Sequence, residues 1–172
     1  MRRSIMALFG AVVLGVTVLA ASSPANAATY WVIRGFGSQK CIDNPNFASG
    51  NVQLDIWSCV SPRQSNEQWE WVPAGDDSFI IVNRSSGKCL TVYGASYDNN
   101  APIIQYACNY GANQRWFQDN ARTTQGGYEY YMIRNAKSQK CIAVQNASTA
   151  NGAKLLQYTC NTGPNEIWTW LG

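Results

Sequence analysis

Short runs of aromatic and β-branched residues, set between turns rich in Gly, Asn, Ser and Pro, recur along the whole chain and predict β-strands. Tyr30 to Arg34, Phe79 to Asn83 and Tyr130 to Arg134 read as opening strands. Val52 to Trp57, Ile103 to Tyr106 and Leu155 to Tyr158 read as inner ones, and Trp69-Glu70-Trp71 and Trp168-Thr169-Trp170 alternate with period two, as half-buried strands do. No stretch pairs helical periodicity with plausible caps. The pattern predicts an all-β fold of about four short strands in each of three units, roughly twelve in all, closed into a barrel that leaves few edges exposed.

Three units are expected because the markers repeat. The six cysteines fall as Cys41 with Cys59, Cys89 with Cys108 and Cys141 with Cys160, at separations of 18, 19 and 19 residues. Each first cysteine is preceded by Ser-x-Lys and followed by Ile or Leu, and each second one has an aromatic residue two places before it: Trp57, Tyr106 and Tyr158. Asn, two variable residues and Trp then close each copy, at Asn66 to Trp69, Asn113 to Trp116 and Asn165 to Trp168. A period near 50 residues places the copies at roughly 30–72, 79–118 and 130–171, which leaves no room for a separate catalytic domain. Six cysteines allow 15 pairings. Threefold repetition favours those that treat each copy alike, and bonding within each copy is the simplest.

Composition narrows the chemistry. Arg2 and Arg3, an apolar run from Ile5 to Ala21 and the small-x-small triplet Ala25-Asn26-Ala27 predict a secretory signal peptide over 1–27 and a mature domain over 28–172, secreted and extracellular, where disulfides persist. The chain has 13 basic and 10 acidic residues, and two of the basic ones leave with the leader, so no charge excess points to nucleic acid. No second apolar run is long enough to insert into a membrane. Histidine is absent, which excludes Ser-His-Asp and Cys-His catalysis and leaves no expectation of a metal or cofactor. Seven Trp and nine Tyr in a chain of low charge suit a surface for neutral, partly apolar ligands.

Taken together, Cys-(Ile/Leu), an Asn/Gly loop, the aromatic before the second Cys and Asn-(Glu/Gln)-x-Trp, three times in register, resemble the ricin B-chain type of β-trefoil lectin in its small, secreted, bacterial-like form. The Gln-x-Trp hallmark is literal only in Gln114-Arg115-Trp116; the other copies carry Glu67-Gln68-Trp69 and Glu166-Ile167-Trp168. The resemblance implies a six-stranded barrel capped by three hairpins, with one sugar pocket per copy for galactose-like or related sugars on glycans or polysaccharides. It places Asp43, Trp57, Asn66 and Glu67 in the first pocket, with Asp55 where Gln is frequent. It places Tyr106, Asn113 and Gln114 in the second and Tyr158, Asn165 and Glu166 in the third, where Thr91 and Ala143 stand in for the Asp. Gln105 and Gln157 sit one residue nearer the ring than the family's Gln, so alternation turns them to the other face.

Plainer roles compete. Trp69, Trp116 and Trp168 are expected in the core; Trp57 is either a sugar platform or an inward-packed strand residue; Asp43 is either a hydroxyl acceptor or a turn residue; the three Asn side chains also suit loop-to-backbone ties. Asp43, Asp55 and Glu67 together raise the option of a carboxylate glycosidase, but such an acid must be buried and family pockets are shallow, so the expectation is binding without catalysis. A β-trefoil protein-binding module such as a protease inhibitor is the alternative from another class. A lectin subunit serving a separate catalytic or toxin chain is a further one.

Overall fold

The computed structural model describes residues 28–172, Arg122's side chain apart, so the expected leader lies outside the described residues. Among the described residues there are twelve strands: β1 (Tyr30–Gly35), β2 (Cys41–Asp43), β3 (Asp55–Trp57), β4 (Gln68–Gly75), β5 (Ser78–Asn83), β6 (Cys89–Val92), β7 (Ile103–Tyr106), β8 (Arg115–Gln125), β9 (Tyr128–Asn135), β10 (Cys141–Val144), β11 (Ala153–Tyr158) and β12 (Ile167–Leu171). The antiparallel pairs β1–β4, β4–β5, β5–β8, β8–β9, β9–β12 and β12–β1 close a six-stranded barrel. The hairpins β2–β3, β6–β7 and β10–β11 lie over one end of it, each joined to the barrel at its first cysteine through Arg34↔Cys41, Val82↔Cys89 and Arg134↔Cys141. Closure removes the free edges that such short strands would otherwise present.

The core is threefold because the sequence is. Ile33, Ile81 and Ile133 form one triplet; Ile42, Leu90 and Ile142 a second; Leu54, Ile103 and Leu155 a third; Trp69, Trp116 and Trp168 the fourth, and every one of these side chains is fully buried. Each Trp also spends its polar atom: the indole N–H donates to the carbonyl just past the first cysteine of its copy, at Ile42 (3.1 Å), Leu90 (3.0 Å) and Ile142 (3.1 Å). The closing strand of each copy is thereby tied to the hairpin above it. The disulfides are Cys41–Cys59, Cys89–Cys108 and Cys141–Cys160, one within each copy.

Two stretches differ from the sequence expectation. Val52 to Leu54 is not strand continuous with β3: Gln53 makes a lone bridge to Ile104, and the Leu54 N–H donates to the Ile103 carbonyl at 3.0 Å, so this backbone pairs with the neighbouring copy. Residues 119–129, outside the expected copies, belong to the long β8–β9 hairpin, bulged between Asn120 and Thr123. Its polar Thr-Thr-Gln-Gly-Gly composition carries no hydrophobic period, and its register is set by the barrel from which it grows. Among the described residues, five one-turn 3-10 segments, over Pro45–Phe47, Ser65–Glu67, Tyr93–Ala95, Ala112–Gln114 and Gln145–Ala147, connect the strands.

Candidate functional site

Strand alternation decides what faces outward from each hairpin. In the first, Ile42 and Ile56 point into the core, so Asp43 on β2 and Asp55 and Trp57 on β3 share the other face, with Asp43 directly opposite Asp55. Two like charges at paired positions are unfavourable, and a third strand relieves them. β11, from the third copy, pairs with β3 so that Lys154 lies opposite Asp55, and its ammonium donates to Asp55 Oδ2 at 2.8 Å. Asp43 itself, only 5 % exposed, accepts from Asn66 Nδ2 at 2.5 Å. Asp55 Oδ1 and Asn66 Oδ1 are buried with no protein donor. Above these groups stand two exposed aromatic rings, Trp57 and, from the Pro45–Phe47 turn, Phe47. All of them line one open cavity of about 490 Å³.

Burial raises the pKa of this cluster. Asp43 is pushed up from 3.8 to about 7, first by desolvation, then by the negative charges of Asp55 and Glu67, with Lys154 pulling the other way. Burial also raises Asp55 and Glu67, opposed respectively by the Lys154 hydrogen bond and by the Val60 N–H. A carboxyl whose folded pKa lies above its unfolded one stabilises the fold when protonated. That contribution is complete below about pH 4 and is lost as pH rises through about 7. Thermal unfolding followed from pH 4 to pH 8 is therefore expected to show a stability decline over this window that flattens in Asp43→Asn. An unchanged slope in that variant would contradict the assignment.

The second and third hairpins keep the aromatic and lose the charge. Thr91 and Ile104 occupy the places of Asp43 and Asp55 in the second copy, and Ala143 and Leu156 do so in the third. Asn113 and Asn165, without a carboxylate to meet, donate to backbone carbonyls at Val92 (3.2 Å) and Val144 (3.4 Å). Tyr106, exposed, borders a cavity of about 470 Å³ with Thr91 and Asn113. Tyr158 is also exposed.

The sequence matches the model of the ricin-type β-trefoil lectin domain three times, over residues 18–106, 71–129 and 112–171. The chain belongs to that family. No curated protein matches it in sequence. Among solved structures it is similar to ThreeFoil, a designed threefold-symmetric protein, at 32 % identity over 83 % of this chain and 98 % of that one, with a TM-score of 0.76. It is also similar to an exo-β-1,3-galactanase from Clostridium thermocellum, at 29 % identity, covering 86 % of this chain but 30 % of the enzyme, with a TM-score of 0.75. The Rhizoctonia solani agglutinin shares the fold at 12 % identity and a TM-score of 0.71 over 87 % of this chain and 99 % of its own. The family is one of lectin-like domains, which supports carbohydrate binding in general terms.

For a ricin-type trefoil, the Glu-for-Gln exchange in two hallmarks has a local explanation. Glu67, Gln114 and Glu166 are all buried and all accept backbone N–H groups from the loop after the second cysteine: Glu67 from Val60 (3.0 Å), Gln114 from Asn109 (2.8 Å) and Tyr110 (3.1 Å), Glu166 from Asn161 (3.0 Å). The shared task needs only an acceptor, which both side chains supply. Gln114 also donates to Thr91 Oγ1 and the Ala107 carbonyl. Glu67 reaches the edge of the first cavity while holding its loop. Gln105 and Gln157 do face inward, donating to Ala48 and Gly50 and to Ser96 and Asp98, so each stitches its copy to another chain segment. Lys154 and Phe47 were not foreseen as site residues. Lys154 joins through pairing between copies, and Phe47 through a turn with φ of 54° that no motif marks.

Proposed function

We propose that residues 28–172 are exported as a lectin that binds neutral, galactose-like sugars on glycans or polysaccharides, chiefly through the cavity of the first copy. The observation that carries the reading is the exposed Trp57 ring standing over Asp43 and two acceptor atoms without protein donors. A pyranose offers a C–H face to the ring and hydroxyl donors to the acceptors, which is the division of labour such a cavity provides. The neighbouring fold in a galactanase supports a galactose-type ligand. The second-copy cavity beside Tyr106 and Asn113 lacks a charged acceptor, as does the hairpin face that carries Tyr158, and each charge-assisted bond forgone is worth about 1.5–3 kcal/mol.

Calorimetry of the mature, disulfide-bonded protein against galactose and array-selected glycans is expected to give one site per chain. Binding should strengthen as pH rises through about 7, because the ionised Asp43 is the better acceptor. Three equal sites, or affinity that grows on acidification, would count against the first-copy pocket. No glycoside turnover is expected. Hydrolysis ordinarily takes two free carboxyl groups, and here Asp55 is engaged by Lys154 and Glu67 by the Val60 N–H. Release of sugar by the wild type that disappears in Asp43→Asn would replace binding with catalysis.

A further inference from the structure

Arg34 and Arg134 occupy the same place in two copies. Each lies on the opening strand of its copy, directly opposite the first cysteine of the disulfide: Arg34 opposite Cys41, Arg134 opposite Cys141. Each has a Gln two residues before that cysteine, clamped alike, with Gln39 Nε2 donating to the Phe36 carbonyl at 2.6 Å and Gln139 Nε2 to the Ala136 carbonyl at 2.7 Å. Their partners differ. Arg134 is gripped by Asp119, Nε to Oδ2 at 2.5 Å and Nη2 to Oδ1 at 3.1 Å, and its Nη1 donates to Gln139 Oε1.

At the position that Asp119 takes opposite Met132, the barrel strand beside Arg34 has Leu171, opposite Val32. Arg34 has no ion pair among the described residues, and its Nε is buried without an acceptor. What it does have is the Tyr128 ring, 5.5 Å from its guanidinium carbon, at the root of the β8–β9 hairpin tip. A groove of about 460 Å³ opens there, walled by Arg34, Phe36, Gln39, Gln125, Tyr128 and Tyr130.

We infer that this groove is a second ligand site, one that takes a carboxylate-bearing sugar. A guanidinium presents a planar fork that a carboxylate fills with two parallel bonds, as Asp119 does in the third copy. An external carboxylate entering the groove meets the part of the Arg34 guanidinium that borders it, which no protein carboxylate occupies. The half-exposed Tyr128 ring and the amides of Gln39 and Gln125 suit the remainder of a uronic acid, an apolar ring face bordered by hydroxyls. A bare carboxylate would use the arginine alone. The site is separate from the Asp43 cavity and does not depend on that cavity's ligand.

The test is NMR titration of the mature protein with galacturonate, galactose and acetate, reading the Arg34 Nε–H and Tyr128 ring signals. Galacturonate is expected to move them with an affinity at least tenfold above that of acetate, and galactose to leave them in place. Arg34→Gln should weaken galacturonate at least tenfold. Leu171→Asp, which copies the internal carboxylate of the third copy, should do the same by occupying the fork, so the result does not hang on one variant; near-UV dichroism confirms the fold of each. In Trp57→Ala the Arg34 response should persist, which separates this site from the proposed lectin pocket. The inference fails if galacturonate binding survives both Arg34→Gln and Leu171→Asp, if acetate binds as tightly as the sugar acid, or if galactose moves the same signals.

Discussion

Titration of Trp57→Ala with the sugar that binds wild-type protein is expected to return no measurable heat, while Tyr106→Ala and Tyr158→Ala bind almost normally. Trp57 is the broad exposed ring that stands on the same hairpin face as Asp43 and Asp55. Covering about 60 Å² of its face with sugar C–H groups contributes about 1.5 kcal/mol at about 25 cal/mol per Å². A monosaccharide held at about −4 kcal/mol, millimolar affinity, then falls at least tenfold, beyond ordinary detection. The tyrosines lie beside Thr91 and Ile104, or Ala143 and Leu156, where no carboxylate waits. Greater damage from Tyr106→Ala than from Trp57→Ala would transfer the working pocket to the second copy. Half-exposed Trp57 supports little of the core, so its loss should leave the unfolding temperature nearly unchanged.

Trp116→Ala is expected to do the reverse. Its side chain is fully buried on the barrel axis side of β8, and its N–H satisfies the Leu90 carbonyl. Removing it opens a cavity that two other tryptophans cannot fill and leaves that carbonyl without its donor, a combined loss of about 3–5 kcal/mol. For a domain of this size the melting temperature should drop by about 10–20 °C. Differential scanning calorimetry checks it. A loss as small as that of Trp57→Ala would mean that the three tryptophans do not form one shared layer.

Much of the fold was legible because its strongest signals are local and repeated. The cysteine pairs and the closing tryptophans mark every copy, and the period-two runs mark the closing strands of the first and third, so three like units close into one barrel. The candidate site was legible in part. The family resemblance placed Asp43, Asp55 and Trp57 in the first pocket, and alternation along β2 and β3, with Ile42 and Ile56 in the core, puts them on one face. Lys154 did not follow, because it lies on a strand 99 residues away that meets Asp55 only through pairing between copies. Asn66 read first as a loop tie, with a sugar contact open to the same side chain; whether it meets a carboxylate or a carbonyl is decided by one residue on another strand, Asp43 against Thr91 or Ala143. The β8–β9 extension escaped the pattern because its register is inherited from the barrel, not from its own side chains.

The pairing of β1 with β12 places the first and last strands side by side, Val32 against Leu171, running in opposite directions. β1 runs toward the hairpin layer and β12 away from it, so Tyr30 and Leu171 both emerge at the barrel mouth remote from the hairpins. Cargo tethered at either terminus would hang behind the molecule and leave all three hairpin faces free to meet a surface. The same adjacency makes the chain a candidate for circular permutation: a short linker could join the old ends, and new ones could open at the Gly126-Gly127 turn without unpairing any other strand of the barrel.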